Sequence, residues 1–136
     1  MTKLVRGALF LLLVAACSDR DVTWQDNERE RLIAVDGDTV RVGSTQMRIE
    51  NLDAPETGER AECDAERMLG AIATVEAKEL VQSEDVSVRA TGKTDRYGRT
   101  LVLITVDGTD WAEHMIGHRL AVAWNGHRHD WCARSH

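Results

Sequence analysis

Three short β-rich runs lie within twenty-odd residues, and a single proline-free stretch long enough for a five-turn helix follows them. That order constrains the fold more than any other feature of the chain. Arg31 to Val35 and Thr39 to Val42 are split by Asp36-Gly37-Asp38, a hairpin signal. Thr45 to Leu52 is a third strand after the turn residues Gly43 and Ser44. Residues 61–82 fit a helix, with Ala65, Leu69, Ile72, Ala73 and Leu80 near 3.6-residue spacing as its expected inner face. Val86 to Arg89 alternates as a fourth strand, and Thr100 to Val106 is a fifth, ending at Asp107-Gly108. Thr109 is placed to cap a second helix over roughly 110–119, and Leu120 to Trp124 is a short apolar return. Strands, one long helix, two more strands and a short helix predict a small α+β barrel.

The 136 residues suit one domain, and 43% hydrophobic composition is enough for a core. Ten Gly and one Pro exclude collagen-like and low-complexity classes. A net charge of −6 argues against non-specific coating of nucleic acid, which needs a basic surface. It leaves room for a small basic cleft.

The N-terminus reads as an export signal. Lys3 and Arg6 precede an unbroken apolar run from Ala8 to Ala16. Nine residues span only ~14 Å as a helix, against a bilayer core of ~30 Å. Residues 1–16 therefore fit a signal peptide rather than a membrane span. Val14-Ala15-Ala16-Cys17 resembles a bacterial lipoprotein box, with Cys17 the lipidated first residue of the mature chain. Ordinary cleavage after Ala16 is the alternative. Removal of residues 1–16 takes two bases from the 17 and none of the 23 acids, leaving −8. Residues 17–30 read as a linker from the membrane and residues 31–136 as the folded domain. In a Gram-negative cell, Ser18 after the Cys resembles an outer-membrane destination. With Cys17 acylated, Cys63 and Cys132 remain as an even pair in an oxidising compartment, which favours a disulfide over two buried thiols.

Chemistry gathers in three segments: Val35-Asp36-Gly37-Asp38-Thr39, Arg48 to Thr57, and Thr94-Asp95-Arg96-Tyr97-Gly98-Arg99. Each alone also fits a polar turn. Together they hold hard carboxylate ligands (Asp38, Asp53), a main-chain carbonyl beside a proline (Ala54), a further carboxylate (Glu56) and two permanently charged arginines (Arg48, Arg99). Metal-assisted attack on a phosphodiester needs that set. Arg48 and Asp53 differ by an odd number, so a regular strand would point them to opposite faces and a bulge or strong twist is expected there.

Asp-Gly-Asp-Thr, then Arg…Asp-Ala-Pro-Glu-Thr, then Thr-Asp-Arg-Tyr-Gly-Arg resemble the staphylococcal nuclease (thermonuclease) family in order and separation, from about Ile33 to Trp124. The resemblance implies a five-stranded OB-fold β-barrel with flanking helices. It implies Ca²⁺-dependent hydrolysis of single-stranded or frayed DNA or RNA, leaving 3′-phosphate ends. By position, Asp38 and Asp53 match the calcium carboxylates. Ala54 stands where the family has a Thr whose carbonyl binds the ion. Arg48 and Arg99 match the phosphate-gripping arginines, Glu56 the general base and Asp36 a nearby acid. Tyr97 matches a tyrosine at the nucleotide pocket, and Arg96 and Trp124 fall at its rim. The loop Thr57-Gly58-Glu59-Arg60 is shorter than the family's lysine-rich one, Arg96 replaces a lysine, and little chain follows Trp124. The expectation is a monomeric, lipid-anchored envelope nuclease. A non-catalytic OB-fold binding module is the main alternative, and a structural lipoprotein with a vestigial cleft is the third.

Other features read as structural. His114 and His118, at i,i+4, read as exposed helix histidines, with no third metal ligand visible in the sequence. His127, His129 and His136 fall in a polar tail, and Glu79, Glu84 and Asp85 in a solvated acidic stretch. Trp111 is expected to anchor the second helix, and Trp131 to pack beside Cys132.

Overall fold

Val102, Ile104 and Val106 alternate along β6 (Thr100–Val106), and all three are buried. This strand lies at the centre of a curled mixed sheet. A computed structural model describes residues 31–133; the signal segment, the linker, Cys17 and His136 lie outside the described residues. β1 (Leu32–Ala34), β2 (Thr39–Val42) and β3 (Thr45–Ile49) form an antiparallel meander. β3 then runs parallel to β6, which pairs antiparallel with β5 (Val86–Thr94). The order β1-β2-β3-β6-β5 curls into a half-barrel carrying two helices, the α+β OB-fold arrangement that the sequence predicts. β7 (Thr109–Asp110) adds to β6, and β4 (Leu52–Asp53) pairs with β8 (Val122–Ala123) as a separate ribbon.

Several boundaries differ from expectation for local reasons. The third strand stops at Ile49, and Glu50 and Asn51 form a turn before β4. The chain there leaves the main sheet and pairs with β8 instead. This break, rather than a bulge, lets Arg48 and Asp53 meet despite their odd spacing. The fourth strand runs on to Thr94, with a register shift between Ala90 and Thr94 around Gly92, whose φ is +78°. A short 3-10 turn, Gly58–Arg60, precedes the long helix α1 (Asp64–Leu80). The second helix, α2, spans Trp111–Gly117 and is capped by Asp110, not Thr109. The Asp110 carboxylate accepts from the N–H groups of Ala112 (2.9 Å) and Glu113 (3.2 Å).

The inner face of α1 is made of Glu66, Gly70, Ala73 and Ala77, while Ala65 and Ile72 face solvent. Three of these, Gly70, Ala73 and Ala77, are small and let the helix sit close, with Gly70 against the Pro55–Glu56 backbone and Ala73 against the β1–β2 loop. Gly37, in that loop, has no positive φ, so its glycine serves close packing rather than the turn itself. A Cβ there would meet the Ala54 Cβ at 2.7 Å and the Ala73 Cβ at 3.3 Å. Trp111 anchors α2 as expected. It is fully buried, and its indole Nε1–H donates to the Gly37 carbonyl at 3.0 Å. Truncating it to Ala would cost ~3–5 kcal/mol.

Candidate active site

Strand register assembles the site. Thr39 pairs with Arg48 and Arg48 with Leu101, so three sequence-distant segments meet at one end of the half-barrel. They open onto a cleft of about 380 Å³ whose lining includes Asp36, Asp38, Arg48, Glu56, Arg60, Tyr97 and Arg99. Three acids and three arginines face one another there, which explains how an acidic chain carries a cleft without net negative charge.

Asp38 and Asp53 are both buried, yet they come from different ribbons and converge on one guanidinium. Arg48 Nη1 lies 2.6 Å from Asp38 Oδ1, and Nη2 lies 3.4 Å from Asp53 Oδ1. Burial alone would lower the Arg48 pKa; Asp38 and Asp53 more than reverse this and raise it. Asp38 also accepts from the Ala54 N–H (3.0 Å) and the Thr39 hydroxyl (3.1 Å). Thr39 Oγ1 in turn accepts from Arg99 Nη1 at 3.4 Å. Burial and the charge of Asp38 hold the Asp36 carboxyl above its ordinary pKa.

Arg99 is aimed by its own turn. Asp95 accepts from the N–H groups of Tyr97 and Arg99 (both 2.9 Å) and from Arg99 Nε (2.7 Å). Gly98, at φ +81°, closes the loop. Slight burial would raise the Asp95 pKa, and these hydrogen bonds more than offset it and lower it. Tyr97 stands exposed at the cleft wall, with Arg96 stacked over its ring at 4.8 Å and the Arg99 Cζ at 5.7 Å.

Glu56 is held from three sides. Arg60 Nε reaches its Oε2 at 3.0 Å, and Arg128 Nη1 reaches its Oε1 at 3.3 Å. Its backbone N–H donates to Glu66 Oε1 at 3.0 Å. Burial raises the Glu56 pKa, and Asp36 and Asp38 add to this against the opposing charges of Arg60 and Arg128.

Not every expected residue lines the cleft. Asp53 lies behind Arg48, Ala54 is buried beside it, and Trp124 flanks Arg48 with its ring 5.7 Å from the guanidinium carbon. Arg96 donates to the Tyr97 hydroxyl at 2.7 Å and does not itself line the cleft.

Four features were not foreseen from sequence. Glu66 is a fully buried carboxylate that accepts from the N–H groups of Glu56 and Glu62 (2.7 Å) and from the Arg128 guanidinium. Gly70 lets the Pro55–Glu56 backbone rest on α1, since a Cβ there would fall 2.2 Å from the Glu56 carbonyl oxygen. Arg128 lies in the tail yet contacts both Glu56 and Glu66. Finally, the tail crosses Asp53: the His129 N–H (3.0 Å) and Trp131 Nε1–H (3.3 Å) both donate to Asp53 Oδ2. Trp131 thus turns to the site and not simply to Cys132. A disulfide between Cys63 and Cys132 fastens this strap to the start of α1. The isolated Gly inside the helical pattern was the only signal for any of these.

With this geometry in place, the family comparison is decisive. The pattern of the staphylococcal nuclease homologues matches residues 46–133. The chain belongs to that family. No curated protein matches the sequence in its own right. The matched span begins after Asp38, which the β2–β3 pairing brings to Arg48.

Proposed function

We propose that the protein is a calcium-dependent nuclease that hydrolyses phosphodiester bonds of DNA or RNA and leaves 3′-phosphate ends. Family membership supports a nuclease-like function in the broad sense. The observation that carries the finer reading is the meeting of Asp38, Arg48, Glu56 and Arg99 around one open cleft.

The donor chemistry fits the ion. Asp38 and Asp53 are hard oxygen donors already gathered around one cationic group, and Asp38 fixes the Ala54 backbone through its N–H. Asp38, Asp53 and the Ala54 carbonyl would hold Ca²⁺. Because such an ion takes ~6–8 oxygens, water and substrate phosphate must complete the set and free-chain affinity is weak. A bound divalent ion would supply Lewis-acid polarisation of the phosphate and a water of lowered pKa.

The remaining steps belong to side chains. Arg48 and Arg99 grip the non-bridging phosphate oxygens and stabilise the charge that develops on them. Glu56 takes the proton of the attacking water as oxygen bonds to phosphorus and the P–O5′ bond breaks; the departing oxygen takes up a proton from solvent. A raised carboxyl pKa makes Glu56 a stronger base toward the attacking water. Tyr97 and Arg96 offer a stacking surface for a nucleobase, and Trp124 supports Arg48. The anchor belongs to the same reading: acylated Cys17 would hold the enzyme in the cell envelope.

End-labelled single-stranded DNA incubated with the protein and Ca²⁺ tests the reading. Fragments that accept a 3′ label only after phosphatase treatment support it. Fragments with free 3′-hydroxyls, or none at all, overturn it.

A further inference from the structure

We propose that Glu76, His114 and His118 form a site for a divalent transition-metal ion, with Zn²⁺ the best match, outside the cleft and joining α1 to α2. None of the three lines the cleft. Glu76 stands on α1, His114 on α2, and His118 one turn further on, at the C-cap of α2. The third ligand that the sequence did not reveal therefore comes from another helix.

The donors are mutually placed. One ligand atom from each residue lies within 4.8 Å of the other two. His114 Nε2 is 2.6 Å from Glu76 Oε1, and the pair is about a quarter exposed. The His114 and His118 rings stack with centroids 4.2 Å apart, 25° from parallel. Donors around a tetrahedral zinc sit ~3.3 Å apart, given bonds of ~2.0–2.1 Å. The observed spread, from 2.6 Å for the nearest pair to at most 4.8 Å, brackets that value.

A second feature independently sets the ligand chemistry. His118 Nδ1 lies 2.8 Å from the His114 carbonyl oxygen. A carbonyl can only accept, so the proton belongs on Nδ1 and the lone pair on Nε2. An imidazole held by a main-chain carbonyl through one nitrogen presents the other to a metal, as zinc-binding histidines do. Two imidazoles and one carboxylate suit zinc and its neighbours rather than calcium, which prefers all-oxygen sets. Three protein ligands leave a fourth position for water. With metal bound, α1 and α2 are cross-linked through the ion, where otherwise the His114–Glu76 side-chain contact links them.

The test uses the full chain stripped with chelator and titrated with ZnCl₂ alone. The expected result is one equivalent bound, at least tenfold weaker in both His118→Ala and Glu76→Gln. Tm should rise by about 10 °C when free Zn²⁺ exceeds Kd a hundredfold. Co²⁺ in its place should give the intense visible bands of a tetrahedral centre, lost in His118→Ala. Since His118 is exposed and outside the cleft, His118→Ala should fold and keep wild-type nuclease rate. No saturable uptake at about 100 μM overturns the proposal. So does uptake of equal affinity in both variants, which would assign the ion to the cleft carboxylates or the tail histidines.

Discussion

Replacing Cys63 and Cys132 together by Ser should weaken the protein and, separately, disable the cleft. The bridge closes 69 sequence steps. In the chain-entropy model such a loop restricts the unfolded chain by ~4 kcal/mol. That is a large share of the ~5–15 kcal/mol that holds a domain of this size together. The activity effect follows from where the bridge is anchored. Its tail half carries the His129 N–H and the Trp131 indole, the two donors on Asp53 Oδ2, and Arg128, which contacts Glu56 and Glu66. A freed strap leaves the buried Glu66 carboxylate short of its counter-charge, a loss of ~3–5 kcal/mol if the contact breaks outright. Urea unfolding followed by tryptophan fluorescence gives the first quantity, and nuclease rate in dilute buffer, where the variant is still folded, gives the second. The expected outcome is a midpoint lowered by the equivalent of ~4 kcal/mol and a rate lost beyond the unfolded fraction. Coincident unfolding curves for the two proteins would refute the entropic argument. Full activity in the folded variant would refute the strap's role at Asp53 and Glu56.

Gly70→Ala should lower activity at least tenfold, by pushing the Glu56 backbone off α1; an exposed helix would gain ~1 kcal/mol from the same change, so a stability gain on thermal melting would contradict the packing. Glu66→Gln should cost ~3 kcal/mol or more in chemical denaturation, because its buried carboxylate serves two N–H groups and Arg128. Asp95 has a lowered folded pKa, so its stabilisation is present above the ordinary carboxylate value near 3.8 and lost as pH falls through the lowered one. Asp95→Asn should therefore flatten part of the acid limb of a stability–pH curve and also slow cleavage by loosening Arg99; an unchanged acid limb would contradict this.

The order of strands and helices was readable because alternation and helical period act locally: Thr100–Val106 needs only its own sequence to show a buried face. The three polar segments and the cysteine pair were readable because their residue types have few other uses together. What escaped depends on distances that only the folded chain fixes. Glu66 in sequence is an ordinary acid in a first helical turn, where the helix dipole favours one. Its burial follows from Glu56 and Glu62 turning their N–H groups inward. The apolar spacing of α1 suggested Ile72 as a core residue, but the helix turns Gly70, Ala73 and Ala77 inward, with Gly37 so near Ala73 that a Cβ on it would lie 3.3 Å from the Ala73 Cβ, and Ile72 is left exposed. Arg48 and Asp53 share a site because the chain changes partner strand at Glu50-Asn51, a tertiary event that no strand parity records.

Single-turnover cleavage of single-stranded DNA by wild type and Arg99→Ala, with excess Ca²⁺ and then with chelator, tests the central claim most directly. Arg99 lies in the cleft and is aimed by Asp95, so its loss removes charge stabilisation and leaves the core untouched. The account predicts cleavage by wild type that stops with chelator, and a rate ~10²–10³-fold lower in Arg99→Ala with Ca²⁺ binding retained. Wild type that cuts nothing, or Arg99→Ala that cuts as fast, would contradict it and leave the fold as a binding module.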